Sequence, residues 1–249
     1  MNEKNVALEA TIKKLTEAKK YASLRDFLST LNSADIAEAF GELSDQALPL
    51  VFRLLPKELA AEVFVEMETE QQETLIRGFS DVELKAVVEE LYVDDAVDLV
   101  EEMPANVVSR ILLQADPDTR KMINEILQYP EDSAGSEMTT EFVELQSHMT
   151  AQQCIAHIRR VGIDKETINT CYITDKGHHL RGVVSIRSLI LAEDDTPCSE
   201  LMNTTVVSVG TLEDQETVAQ MFSKYAFNAL PVVDKDGRLV GIEIGRAHV

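Results

Sequence analysis

Tryptophan is absent from the 249 residues, and aromatic side chains make up only 5% of them. A core without large rings must pack through Leu, Val and Ala, which suits small helical repeats. Cysteine is nearly as scarce. Cys154, Cys171 and Cys198 are odd in number, far apart, and in no CxxC or Cys/His spacing. That argues against a disulfide framework or a zinc site and leaves reduced thiols as the expectation. No apolar run approaches the about 20 residues that cross a bilayer, and Met1–Lys20 is too charged to be a signal peptide. The chain as given is expected to be soluble and cytoplasmic. No Gly-rich phosphate loop and no Ser/His/Asp or Cys/His set can be assembled. His148 and His157 lack partners at metal-site spacing, and paired His178-His179 reads as an exposed turn. Nothing argues for an enzyme.

Positive charge is the other scarcity. Lys and Arg number 23 against 44 Asp and Glu, giving a net charge of −21. Fifteen acids and two basic residues, Arg77 and Lys85, lie between Glu58 and Glu102. Self-repulsion on this scale disfavours a compact domain. Nucleic acid and anionic membrane surfaces would be repelled, and divalent cations attracted.

What is present is ordered. With 45% apolar residues the chain can bury a core, and its length suits one or two domains. From Leu31 the sequence falls into rows of twelve headed by Leu31, Leu43, Leu55, Met67, Phe79, Leu91, Met103, Ala115 and Leu127. Within a row, apolar residues recur at positions six, nine and ten and then at the next head, as in Leu84, Val87, Val88 and Leu91. That is one face of a helix. Turn chemistry follows the heads at Ser44-Asp45, Pro56, Ser80-Asp81, Pro104 and Asp116-Pro117, where Ser and Asp cap and Pro opens a helix. Helices this short need neighbours to stack on. The expected fold is an all-α superhelical solenoid of short helices, with a plain bundle as the rival.

After Tyr129-Pro130 a second kind of repeat begins. The hairpin pattern Tyr172–Ser185 returns at Pro231–Ile242, with Asp175/Asp234, Leu180/Leu239 and Gly182/Gly241 at identical spacing. Upstream, Met138-Thr139 and Met202-Asn203 open matching stretches. Each has a strand (Val143–Leu145; Val206–Val209) and a helix (Gln152–Arg160; Gln215–Tyr225). Two copies of strand, helix and hairpin predict a tandem α/β module.

These residues carry a resemblance. The second half resembles a CBS-domain pair. Tyr129-Pro130-Glu131-Asp132-Ser133-Ala134-Gly135 followed by Met138-Thr139 is similar to the junction of MgtE-type magnesium channels and transporters. The acidic repeat in front resembles that family's N domain, and the likeness spans about Leu31 to Ile242. It implies a multidomain α and α/β protein, divided as an N domain over 1–130, a first CBS domain over 131–200 and a truncated second over 201–242. Residues 243–249 resemble translated adapter DNA and are expected to be a non-native tail.

The acids are placed at intervals as well. Glu58, Glu62 and Glu66 are four apart, as are Asp94, Asp98 and Glu102. Like charges at that spacing destabilise a helix by roughly 0.2–0.5 kcal/mol per pair; a cation reverses the sign. Magnesium suits such a face because it keeps most of its water, with manganese or cobalt as possible replacements. The resemblance places the sensing acids on Glu62, Asp94 and Asp98, with Asp95 adjacent. It implies a magnesium sensor that gates a transmembrane pore domain outside this chain, and a homodimer formed through the CBS domains.

For nucleotides the expectation is negative. The usual ribose-binding Asp of a CBS pair falls on Ser188 and His248. With both carboxylates absent, ATP is not expected to bind, although Arg187, Phe227 and Pro231 stand where a nucleotide would rest. A nucleotide-responsive CBS module and a protein-interaction scaffold are the alternative readings.

Overall fold

The computed structural model describes residues 3–245. The chain divides into two compact units. The first holds the residues up to Leu91 and Asp95–Arg120; the second holds Tyr92–Asp94 and the chain from Lys121 onward.

The first half is helical: α1 (Glu3–Glu17), α2 (Tyr21–Leu28), α3 (Ser33–Phe40), α4 (Leu48–Phe52), α5 (Lys57–Val65), α6 (Thr69–Gly78), α7 (Asp81–Val88), α8 (Val93–Glu102), α9 (Ala105–Gln114) and α10 (Pro117–Ile126). From α3 to α10 each row of twelve supplies one helix. In α3 to α8, positions six, nine and ten are buried in every row. The one polar residue among them, Gln72, donates its Nε2–H to Phe64 O at 2.8 Å and so loses no hydrogen bond on burial. Alternate helices pack together, α3 on α5, α5 on α7 and α7 on α9.

The starts of the helices show why the beat holds. Ser80 and Glu83 form a reciprocal capping box on α7, and Asp116 Oδ1 accepts the Asp118 N–H at the head of α10. Only Pro117 occupies a first helical position; Pro56 and Pro104 sit one residue earlier, in extended backbone, as N-caps. A proline there still removes an N–H that the helix could not satisfy.

In the second unit, the first module comprises β1 (Glu144–Gln146), α11 (Ala151–Val161), β2 (Thr170–Thr174), β3 (Leu180–Ser185) and α12 (Ile186–Leu191). A short helix α13 (Cys198–Leu201) leads to the second module, β4 (Val209–Gly210), α14 (Gln215–Tyr225), β5 (Ala229–Val233) and β6 (Leu239–Ile244). The sheets are ordered β1-β2-β3 and β4-β5-β6. In each, the first pair is parallel and the second an antiparallel hairpin. The expected strand over Val206–Val209 is paired only at its end. Glu243 and Ile244 extend β6 opposite Leu230 and Ala229, while Arg246–Val249, with His248, lie outside the described residues.

The repeated motifs are where the modules brace one another. Thr139 bridges to Ile242, and Asn203 to Val183. Each lead-in segment therefore pairs with the last strand of the other module. The preceding methionines lie on the repeated glycines: a Cβ at Gly241 would stand 2.5 Å from Met138 Sδ. The junction is welded too. Gly135 N–H donates to Thr211 O and Ala134 N–H to Glu213 O, and Asp132 O accepts the Gln215 N–H.

Cys154, Cys171 and Cys198, distant in sequence, share one core with Val143, Leu145 and Ile173. Burial pushes the Cys154 and Cys171 thiols up to about 12, so they remain protonated packing groups. No helix among the described residues is long and apolar enough to cross a membrane.

Candidate functional site

In the first unit the α5–α6 turn and α8 enclose a cavity of about 270 Å³. Five carboxylates line it: Glu66 and Glu68 from the turn, and Asp95, Asp98 and Glu102 from α8. The helical period explains their convergence. Val93, Ala96, Val97 and Val100 are buried, which leaves the acids on the remaining face. Thr69 Oγ1 donates to Glu102 Oε2 at its rim.

Of the residues expected to hold a cation, Asp95 and Asp98 line this cavity. Glu62 is exposed on α5 and is not among the lining residues, and neither is Asp94. Glu66 and Glu102 stand in the predicted four-residue ladders, whereas Glu68 follows no repeat and only the turn brings it in. Among the described residues no three His, Cys, Asp or Glu are arranged to ligate a metal directly.

In the second unit, a cavity of about 240 Å³ opens between the two modules. The first module contributes Thr170, Tyr172 and Val183; the second contributes Asn203 to Val207 in part, and Ala226 to Pro231. Not one lining residue is acidic, in a chain of net charge −21. Phe227 and Pro231 line it as expected. Arg187 is exposed on α12, and neither it nor Ser188 is among the lining residues. Tyr172 is fully buried, its ring packed edge-on against Phe142. Burial pushes its hydroxyl pKa up, and the hydroxyl has no hydrogen-bond partner among the described residues. A buried phenol without a partner is costly and marks a place where a ligand acceptor would be favourable.

The chain matches the MgtE intracellular N domain over residues 31–132 and the CBS domain over residues 198–242. It is 36% identical over 224 residues to the magnesium transporter MgtE of Thermus thermophilus, covering 88% of this chain and 50% of that protein. The crystal structure of the cytosolic domain of the Mg2+ channel MgtE in complex with ATP superposes with a TM-score of 0.89. Its sequence identity is 35%, with 95% of this chain and 96% of that one covered. The soluble part of a magnesium transporter gives a TM-score of 0.87 at 27% identity, covering 96% and 94%. The chain spans about half the length of the curated relatives it matches.

These comparisons correct the expectation about ATP. A relative matched almost end to end has been solved with that nucleotide, so the missing ribose carboxylates are not decisive. The cleft between the modules offers the uncharged polar side chains of Thr170, Tyr172, Asn203, Thr205 and Asn228, and position 188 is not part of its lining.

Proposed function

Given that the chain belongs to the MgtE family, as an N domain followed by a CBS pair, we propose that it is the magnesium-sensing regulatory region of a longer magnesium channel or transporter. It acts on the cytosolic side of a membrane and gates a pore that lies outside this chain. The observation that carries the reading is the convergence of Glu66, Glu68, Asp95, Asp98 and Glu102 on one cavity. Hydrated Mg2+, or Mn2+ or Co2+ in its place, relieves the repulsion among these acids; Glu62 and Asp94 add to the field on the neighbouring surface. An ion that binds the pore-closed state more tightly shifts the population toward it. The region regulates and does not catalyse.

The cleft between the modules is the place for an adenine nucleotide, with the base against Phe227 and Pro231 and the Tyr172 hydroxyl donating to it. The alternating helix contacts support a superhelical solenoid for the first half. An apolar groove on the first module, lined by Ile155, Ile158, Ile163, Ile168, Ile186 and Ile190, supports pairing of two copies through the CBS domains.

Calorimetry of the purified chain tests the reading. Saturable heats are expected for Mg2+ at constant ionic strength and, separately, for ATP. Heats that vanish once NaCl matches the ionic strength would leave only charge screening and remove the sensing role.

A further inference from the structure

Helix α8 carries three of the four acids that the sequence nominates as sensors. The preceding Leu91-Tyr92 contains none of the Ser, Thr, Asp or Asn side chains that satisfy a helix start. The first residue, Val93, is only 1% exposed, so its N–H has no access to water. In a helix that N–H has no intrahelical acceptor, and leaving it unpaired in the interior is costly. The acceptor comes from 48 residues away. Glu141, four residues past the junction glycine-bearing loop's Glu137, directs Oε2 to the Val93 N–H at 2.9 Å. Both residues belong to the second unit.

Glu141 is itself held. Its own N–H donates to Thr139 Oγ1 at 3.2 Å, and its carbonyl accepts the Glu166 N–H at 3.1 Å. Thr139 in turn bridges to Ile242 of the second module. The carboxylate thus lies on a braced segment and sets where α8 begins. Burial pushes its carboxyl above the ordinary range, the Val93 N–H opposes that rise, and the nearby Asp94 charge adds to it. The Val93 N–H is thus the interaction that favours the charged form of this carboxyl against burial and Asp94.

We propose that Glu141 is a positioning residue for the sensing helix, capping α8 from the first module so that its acids are presented in a fixed register. The proposal rests on the cation-sensing reading above and adds to it the group that fixes the first turn of the sensing helix.

Amide exchange and Mg2+ titration by NMR on the full chain test it, in wild type, Glu141→Gln and Glu141→Ala. The Gln carbonyl still accepts the Val93 N–H; Ala cannot. In Glu141→Ala the Val93 amide should exchange roughly fivefold faster, and the Mg2+ midpoint read at the Asp95 and Asp98 amides should rise about threefold. The Ile173 amide, in the core of the first module, should be unchanged, which separates a positioning effect from general loosening. Glu141→Gln should restore Val93 protection and most of the midpoint. Unchanged Val93 exchange in Glu141→Ala, or Glu141→Gln matching Glu141→Ala in both measures, overturns the proposal. A wild-type protein whose α8 amides ignore Mg2+ at constant ionic strength overturns the sensing reading instead, and is seen before any variant is made.

Discussion

A buried hydroxyl and a half-buried carboxylate show how differently single residues contribute. Tyr172 holds its phenol in the interior with no protein partner. Replacing it with Phe should leave the melting temperature equal or slightly higher, because a desolvated group is removed. The same change should weaken ATP binding several-fold, up to about tenfold, when measured by calorimetry. Weakened stability with unchanged affinity would contradict the role given to this hydroxyl. Glu83 behaves in the opposite way. The Arg53 guanidinium and the Ser80 N–H hold its carboxyl down to about 2 from an ordinary 4.5. Because the folded value is the lower one, its contribution is complete above pH 4.5 and is lost as the pH falls toward about 2. The side chain is partly solvated, so only a fraction of the full linkage is expected. Denaturant unfolding of Glu83→Gln should show a shallower loss of stability across that acid range than wild type.

Residues of this kind were unevenly legible. Asp98 stood out through its four-residue interval to Asp94 and Glu102, whereas Asp95 was legible only through the family resemblance. Glu68 could not be read, since it enters the cavity through a turn that no periodicity encodes. Tyr172 reads as a strand residue, and only the packing of one module on the other reveals a phenol without a partner. Reading Ser188 and His248 as decisive against ATP failed because two missing carboxylates were allowed to stand for a whole cleft.

Among the elements, the helices of the first half were the most legible, because burial at positions six, nine and ten is local and repeated. The cap of α8 was not, since its acceptor is 48 residues away. The junction lies between these cases. Its residues stand out in sequence, but their purpose emerges from the backbone pairing to Thr211 and Glu213. At Gly135 an added Cβ would stand 2.7 Å from Thr211 O and 2.6 Å from the Tyr129 ring. One of these neighbours is backbone and cannot swing aside. Gly135→Ala should therefore destabilise the second unit by about 2–3 kcal/mol, read as a lower urea midpoint. A neutral result would mean that the close approach is not maintained in solution.

For the molecule as a whole, charge and connectivity decide what the region can sense. A net charge of −21 attracts any cation, so a rise in stability with salt proves nothing about a site. At constant ionic strength, Mg2+ should raise the melting temperature above NaCl, and Asp95→Ala with Asp98→Ala should remove most of that difference. The two-part order of helical repeat and tandem module was legible because the hydrophobic period changes after Tyr129-Pro130. The cross-bracing of the modules was not, since Thr139 to Ile242 and Asn203 to Val183 are long-range pairings between repeats. The acids of α8 are the core of the sensing account. Site-resolved NMR titration of the whole chain with Mg2+, at constant ionic strength, tests that account most directly. Amides of Glu66–Thr69 and Asp95–Glu102 should shift together to saturation, and the response should disappear in Asp95→Ala with Asp98→Ala. Shifts spread without saturation over the whole acidic surface, or unchanged in that double variant, would contradict it.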